Sequence, residues 1–286
     1  MKRFPRISQV VVLWAVALSP AHPGTPRILI VGDSWAQCMA VVGRDGVKGF
    51  GSLEKALDDA GMSEADTVGE KTAWGGSRAD QWAKPGRLAL LSDELDQYPA
   101  IDIVFLVIGG NDYLKTVLES NIAEMDPEAR RARWGAITRD IGTIIDHCLA
   151  HRPDIHVVLF DYDFLDATAA EKVLPKLSFH GATARQLNDA FLELGRKKMA
   201  LAASRERCVY VQNWGALQHR FANDGPAPGQ APDYAPYPGG NPDGVMPRAA
   251  HVGDGIHPTD EAHRVMLDVA VEKYLKSMLT PGTVRN

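Results

Sequence analysis

Three side chains in this 286-residue sequence could together catalyse acyl transfer. Ser34 could be a nucleophile, which needs a neighbouring base and a group that orients the base. Asp254 and His257 stand three residues apart, a spacing at which two side chains can meet on one side of a turn. Pro258 biases His257 towards an extended backbone in a loop. The sequence therefore suggests a serine, a base and an orienting carboxylate.

A serine nucleophile also needs hydrogen-bond donors that face the charge developing on the carbonyl oxygen. Gly75 and Gly76 form a glycine pair whose backbone amides could serve, and Asn111 follows a second pair. The backbone amide of Ser34 would be a further donor. The apolar pattern predicts that a strand ends and a helix begins there, and the first amides of a helix have no partner within it. Each segment alone is equally typical of a turn or a helix cap. Their combination favours acyl transfer.

A metal site is the alternative interpretation of the histidine-rich segment near the C-terminus. His251, His257 and His263 follow one another at intervals of six residues. That spacing matches no common ligand pattern, and no acidic ligands are organised around it. We therefore expect neither a metal nor an organic cofactor.

Short aliphatic runs precede most of these polar segments and predict the strands that position them. The runs lie at residues 27–31, 101–108, 155–160 and 208–212, with a weaker one near 66–70. Helical periodicity alternates with them at residues 52–60, 86–97, 128–150 and 183–203, and a last helix is predicted over 259–278 with Thr259 as its N-cap. This alternation predicts a three-layer α/β/α sandwich with a central parallel sheet of about five strands. Ligands of such sheets bind at the carboxyl ends of the strands, where the polar segments lie.

Four segments resemble, in order, the sequence blocks of the SGNH hydrolases, the GDSL-type esterases and lipases. They are VGDSW at 31–35, GGS at 75–77, GGND at 109–112 and DGIHP at 254–258. The resemblance covers nearly all of the chain after its N-terminal segment and implies the flavodoxin-like SGNH hydrolase fold. It also implies that Ser34 is the nucleophile, His257 the base and Asp254 its partner, and that the oxyanion hole consists of Ser34, Gly76 and Asn111.

The sequence departs from the family pattern at two positions. Trp35 stands where a leucine is common, and Lys71 stands where an asparagine often precedes the glycine of the second block. The α/β-hydrolase fold is a poorer match, because its G-x-S-x-G elbow is replaced by a sequence ending in Ala36. Trp35 should therefore alter the packing beside the nucleophile but not its chemistry.

Four residues are predicted to contact substrate. Trp35 adjoins the nucleophile, and Asp161 follows a strand, although a solvated acidic loop is an equal alternative there. Residues 225–247 include twelve glycines or prolines and predict a long surface loop near the site. Its Tyr234 and Tyr237 could stack on a sugar or cover an acyl chain, or they could be incidental.

The predicted activity is hydrolysis of short-chain or acetyl esters, with a small-molecule or glycan ester as substrate. An O-acetyltransferase acting on extracellular polysaccharide, a lysophospholipase or a thioesterase would use the same residues. A non-catalytic binding protein on the same scaffold is the remaining alternative. Nothing in the sequence indicates an oligomeric state.

The N-terminus reads as a secretory signal peptide over residues 1–21, followed by a single domain over 26–280. Three basic residues precede an apolar run that is too short to span a bilayer comfortably. We expect export to the periplasm or the medium, with no stable membrane insertion after cleavage. Removal of this segment would change the formal net charge from -5 to -8, because it holds three basic and no acidic residues. A nucleic-acid partner is therefore not expected.

The sequence has three cysteines. Cys148 and Cys208 are predicted to lie on the same side of the sheet, where a disulfide could join them in an exported protein. The alternative is that these two and Cys38 are small buried side chains.

Overall fold

The computed structural model describes residues 25–44, 46–174, 177–222 and 240–279. Five parallel strands form one sheet in the order β2-β1-β3-β4-β5. They are β1 (Thr25–Gly32), β2 (Ala65–Val68), β3 (Ile103–Val107), β4 (His156–Phe160) and β5 (Cys208–Val211). The predicted parallel sheet is confirmed.

Helices connect the strands and flank the sheet, as the alternating pattern predicts. The four helices predicted between strands correspond to α2, α4, α6 and α8, with ends that differ by at most two residues. The helices that precede the C-terminal one are α1 (Ser34–Met39), α2 (Ser52–Asp59), α3 (Ala79–Trp82), α4 (Pro85–Gln97), α5 (Gly110–Glu119), α6 (Pro127–His151), α7 (Ala167–Val173), α8 (Ala184–Ala203) and α9 (Ala216–Phe221).

The C-terminal helix begins where its capping residue predicts. The Thr259 side chain accepts a hydrogen bond from the backbone N–H of Ala262 at 3.2 Å, which confirms it as the N-cap. The helix runs as α10 (Asp260–Ala270), passes through one π-helical turn (Val271–Leu275) and ends as α11 (Lys276–Leu279).

The central strands are buried on both faces, and this explains their continuous apolar sequence. All five residues of β3 and the last four of β4 are buried. By contrast, β2 lies at an edge of the sheet and buries only Ala65 and Val68. The other edge strand, β5, likewise buries only its first and last residues, Cys208 and Val211, so the edge strands bury fewer residues than β3 and β4.

The chain order reverses between β1 and β3, since β2 lies on one side of β1 and the remaining strands on the other. In doubly wound sheets the ligand crevice forms outside the carboxyl ends of the two strands at this reversal. β1 and β3 end in register, with Gly32 opposite Val107. The segments that begin at Asp33 and Ile108 therefore leave the sheet side by side.

The suggested disulfide is not formed. Cys38, Cys148 and Cys208 are all described and all are free thiols. Cys148 is fully buried on α6, and Cys208 is 6% exposed at the start of β5. Burial raises the pKa of each thiol to about 12, so the reactive thiolate is scarce at neutral pH. Cys148 and Cys208 pack as small apolar side chains instead.

Some predictions fall outside the described ranges. The signal peptide at 1–21 lies there, as do Tyr234 and Tyr237, so these stay predictions. In the part of the chain that is described, no helix combines the length and the apolar character needed to cross a bilayer.

The C-terminal end of the predicted loop is described and is held by two helices. The Asn241 backbone N–H donates to the Gln218 side chain of α9 at 2.7 Å. The Asn188 amide of α8 donates to the carbonyl oxygens of Pro242 at 2.9 Å and Gly244 at 2.8 Å. This end of the loop is therefore anchored on α8 and α9.

Candidate active site

The turn after β1 requires a glycine and presents Ser34. Gly32 has a φ of +145°, and a Cβ there would lie 1.9 Å from the carbonyl oxygen of Val107. Asp33 caps α1 by accepting a hydrogen bond from the backbone N–H of Trp35 at 3.0 Å. Asp33 thus accepts from the Trp35 amide and not from the Ser34 amide, which lies at the carboxyl edge of the sheet.

The structure brings Ser34, His257 and Asp254 into one hydrogen-bonded chain. His257 Nε2 lies 2.8 Å from Ser34 Oγ, and its Nδ1 lies 2.6 Å from Asp254 Oδ2. The other Asp254 oxygen accepts from the backbone N–H groups of Ile256 and His257, each at 2.9 Å. With the proton on Nδ1, Nε2 can accept the hydroxyl proton of Ser34.

The environment of Asp254 keeps it ionised. Burial alone would raise its pKa, but the hydrogen bonds and the charge of His257, together with the Ile256 amide, lower the pKa to about 2. An ionised carboxylate at this position fixes the Nδ1–H tautomer and stabilises a positive imidazolium.

His251 shapes the loop that carries Asp254. Its Nδ1 accepts hydrogen bonds from the backbone N–H groups of Gly253 at 3.1 Å and Gly255 at 3.0 Å, the two neighbours of Asp254. Burial, reinforced by the charge of Arg248, lowers the pKa of His251. Only a neutral imidazole can accept both bonds, so His251 acts as an acceptor within the loop.

The backbone amides of Gly75 and Gly76 differ in whether they already have a hydrogen-bond partner. The Gly75 N–H donates to the Gln37 side chain at 3.1 Å, which leaves Gly76, at a φ of +75°, as the candidate oxyanion donor. Ser77 braces this segment, because its hydroxyl donates to the Gly32 carbonyl at 2.9 Å. The Ser77 carbonyl accepts from the Asn111 side chain at 3.1 Å.

Asn111 is also linked to a buried carboxyl group. Its Nδ2 lies 3.4 Å from Asp33 Oδ2, and the Tyr162 hydroxyl donates to the same oxygen at 2.5 Å. Burial raises the pKa of Asp33 to about 6, although hydrogen bonds from Tyr162 and Trp35 oppose the shift. Asp33 therefore connects the turn at Ser34 to the side chain predicted to bind the oxyanion.

The family model of the GDSL-like lipases and acylhydrolases matches residues 30–265, which include all four of these segments. The chain belongs to this family. It is accordingly a carboxylic ester hydrolase. No curated protein matches the chain.

Solved structures support the fold of this acylhydrolase. A lipase from the goat rumen metagenome is similar with a TM-score of 0.54 and 12% identity, over 87% of this chain and 97% of that one. A carbohydrate acetylesterase family member from Sinorhizobium meliloti gives 0.51 and 15%, over 89% and 99%. An acetylxylan esterase from Geobacillus stearothermophilus gives 0.50 and 13%, over 87% and 94%. At these identities the likeness establishes the fold alone.

An apolar cavity of about 360 Å³, including the part open to solvent, adjoins Ser34 in the acylhydrolase. Trp35 lines it but is only 4% exposed. Its indole N–H donates to the Ile256 carbonyl at 3.1 Å, and its ring meets Tyr162 edge-on at 4.9 Å. Trp35 therefore ties the nucleophile turn to the loop of Asp254. The other apolar side chains that line it are Leu114, Leu165, Phe191 and Ile256.

The prediction that Asp161 contacts substrate is wrong. Asp161 is fully buried and does not line the cavity. One of its carboxylate oxygens accepts from the buried Lys198 ammonium at 2.6 Å, and the other accepts from the Tyr210 hydroxyl. The Asp161 side chain, the first after β4, thus points into the core and forms an ion pair with Lys198. The next side chain, Tyr162, lines the cavity.

Sequence reasoning missed several residues that shape the site. Asp33 lies within VGDSW and Ser77 within GGS, and an aspartate at an N-cap position before a serine is a usable signal. The spacing of the histidines suggests His251 only as a metal ligand. No sequence pattern indicates that Tyr162 belongs to the site, because its contact with Asp33 joins residues that are 129 positions apart.

Proposed function

We propose that this acylhydrolase hydrolyses short-chain esters, acetyl esters above all, through an acyl-enzyme intermediate on Ser34. One observation carries the proposal. The continuous hydrogen-bonded chain from Ser34 through His257 to Asp254 opens onto a small apolar cavity. A serine, its base and an orienting carboxylate are the groups that acyl transfer through a serine needs.

In the acylation step, Ser34 Oγ attacks the ester carbonyl carbon while its proton passes to His257 Nε2. The ionised Asp254 stabilises the resulting imidazolium. The carbonyl oxygen becomes an oxyanion that the amides of Ser34 and Gly76 and the side chain of Asn111 can bind. Collapse of the tetrahedral intermediate expels the alcohol, which takes the proton from Nε2.

In the deacylation step, a water molecule replaces the alcohol. His257 Nε2 accepts a proton from the water as its oxygen attacks the acyl carbon, and the same three donors bind the second oxyanion. The proton then returns to Ser34 Oγ as the carboxylic acid leaves. Each step needs only groups that this chain supplies.

The cavity supports a short acyl group. Its empty space of about 360 Å³ includes the part open to solvent, so the enclosed part that could hold an acyl group is smaller than this figure. Buried or half-buried aromatic and aliphatic side chains line it, among them Tyr162, Phe191 and Leu114. Two proteins of similar fold are an acetylxylan esterase and a carbohydrate acetylesterase family member, and this favours acetyl esters as substrates. The predicted signal peptide favours carbohydrate esters outside the cytoplasm as substrates.

The test is a series of p-nitrophenyl esters of increasing chain length, measured with Ser34→Ala and the matched control Ser204→Ala. Ser204 is exposed at the end of α8. Ser34→Ala should lower kcat/KM by several orders of magnitude, because it removes the nucleophile. Ser204→Ala should leave kcat/KM unchanged. Appreciable turnover by Ser34→Ala, or a preference for long acyl chains, would contradict the proposal.

A mass-spectrometric measurement separates hydrolysis from transfer. With an acetylated donor and an excess of a carbohydrate acceptor, we expect free acetate as the main product. Acetylated acceptor in excess over acetate would instead identify an acetyltransferase.

A further inference from the structure

Two guanidinium groups contact one tryptophan beside the candidate oxyanion hole. The Cζ of Arg44 lies 4.4 Å from the centroid of the Trp74 ring, and the Cζ of Arg87 lies 4.1 Å from it. Arg44 is exposed, and Arg87 and Trp74 are half-buried. Cation–π attraction of this kind holds a guanidinium in place while leaving its N–H donors available.

Backbone hydrogen bonds place this group next to Ser34. The Trp74 N–H donates to the Gly32 carbonyl at 2.8 Å, and the Arg44 N–H donates to the Ala73 carbonyl at 3.0 Å. A Cβ atom placed on Gly75 would lie 3.9 Å from the Ser34 Cβ, so the segment after Trp74 passes close to Ser34. Trp74 and Gly76 are two positions apart in the sequence, which is at most about 7 Å of chain.

In the described part of the chain, neither arginine is paired with a carboxylate. Several arginines elsewhere pair with carboxylates, such as Arg130 with Glu193 and Arg205 with Asp146. Within the described ranges, no carboxylate lies within ion-pair distance of Arg44 or Arg87. Helix α4 adds positive character, because its first turn contains no acidic residue. Burial, and then the charge of Arg44, lowers the pKa of Arg87.

We propose that Arg44 and Arg87, held on Trp74, form a subsite for a carboxylate on the alcohol part of the substrate. The substrate class is then an acetylated acidic carbohydrate, such as a uronic-acid glycan. Guanidinium groups bind carboxylates through paired, charge-assisted hydrogen bonds. A bound anion would also relieve the repulsion between the two arginines.

The position of the subsite assigns it to the alcohol and not to the acyl group. The apolar cavity draws its lining from α5, from the segment after β4 and from the loop of Ile256. The arginines lie on the β2 side of Ser34, in the loop after α1 and in α4. An ester carbonyl at Ser34 would therefore have its acyl group on one side and its alcohol on the other. This assignment rests on the proposed function.

The experiment compares two acetylated polymers, polygalacturonate and xylan, in the full-length enzyme. The measured quantity is the ratio of kcat/KM for the acidic polymer to kcat/KM for the neutral one. In the double variant Arg44→Gln/Arg87→Gln we expect the ratio to fall at least about tenfold, mainly through KM, because two charge-assisted contacts are lost. The control Arg131→Gln removes an exposed arginine from α6 and should leave the ratio unchanged. An unchanged ratio in the double variant would overturn the proposal.

A second measurement needs no variant and so does not depend on folding of the double variant. Raising the ionic strength should lower the wild-type ratio, because salt screens an exposed charge pair. A ratio independent of salt would overturn the subsite. Unacetylated oligogalacturonate should inhibit hydrolysis of p-nitrophenyl acetate more strongly than inorganic phosphate does, and the reverse order would overturn the choice of a carboxylate.

Failure of the subsite is distinguishable from failure of the proposed function. An enzyme that deacetylates both polymers equally well at every salt concentration lacks the subsite but remains an acetyl esterase. An enzyme that turns over neither polymer and no p-nitrophenyl ester contradicts both proposals.

Discussion

Two aspartates lie near Ser34, and their surroundings shift their pKa values in opposite directions. Asp33 is 1% exposed, and burial raises its pKa to about 6. The Asp254 side chain is 20% exposed, and its contacts with His257 outweigh the effect of burial and lower its pKa to about 2. The hydrogen-bond partners of the two aspartates explain why the pKa values differ. The imidazole that faces Asp254 can carry a compensating positive charge, whereas the Tyr162 phenol that faces Asp33 cannot.

This difference assigns separate tasks to the two carboxyl groups. With a pKa of about 2, Asp254 is ionised at neutral pH, so it can stabilise a positive charge on the imidazole of His257. Asp33 touches the Trp35 amide, the Tyr162 hydroxyl and the Asn111 side chain. It therefore connects the turn at Ser34 to the Asn111 side chain, whereas the Ser34 hydroxyl contacts His257.

The largest effect should come from Asp254→Asn. The amide cannot be ionised, and its NH₂ group would favour the wrong tautomer of His257. We expect kcat/KM for p-nitrophenyl acetate to fall by about 10³ to 10⁴, as for the equivalent change in serine proteases. The control is Asp268→Asn, at an exposed position of α10. A loss of less than tenfold would show that Asp254 does not orient the base.

The second prediction concerns stability and pH at Asp33. Its pKa of about 6 in the folded protein exceeds the ordinary aspartate pKa of 3.8, so the folded state binds the proton more tightly than the unfolded state. This contribution to stability is fully present below about pH 4 and is lost as the pH rises through 6. The free energy of unfolding of the wild type, relative to Asp33→Asn, should therefore fall by about 2 kcal/mol between pH 4 and pH 7.

Denaturant unfolding at several pH values measures this difference. The same comparison with Asp268→Asn should show no such slope, because that side chain is exposed. A slope of the opposite sign at Asp33 would mean that its ionised form is the one that folding favours.

The smallest effect on activity should come from replacing His251, whose contacts with Gly253 and Gly255 hold the backbone on both sides of Asp254. His251→Leu leaves the Gly253 and Gly255 amides without their acceptor. We expect kcat to fall about tenfold with KM little changed, the cost of unsatisfied buried donors. His251→Asn places a carbonyl oxygen near the position of Nδ1 and should restore most of kcat. Equal kcat values for the two variants, at equal thermal stability, would exclude the positioning role.

Element by element, the predictable parts of the fold are those that bury the most apolar surface. Continuous aliphatic runs predicted β3 and β4, and helical periodicity predicted α6 and α8, because these elements are long and pack on the sheet. Short helices such as α3 and α9 were not predicted, since four to six residues carry too little periodicity.

The error at Asp161 has a specific physical cause. Alternation along an extended segment decides which side chain faces inward, and a shift of one residue exchanges a core position for a site position. The sequence placed Asp161 at a strand end but did not reveal that Lys198, 37 residues later, would be buried against it. Tyr162 occupies the place at the cavity that was predicted for its neighbour.

The sequence by itself determined the family, the parallel sheet and the chemical types at each strand end, because these depend on local composition and spacing. VGDSW, GGS, GGND and DGIHP could be read without any knowledge of contacts. Only the tertiary structure decided which amide of the glycine pair is available, that Asp33 and Asp254 have opposite pKa shifts, and that two arginines converge on Trp74. Those properties arise from burial and from contacts between residues far apart in the chain, which no local pattern encodes.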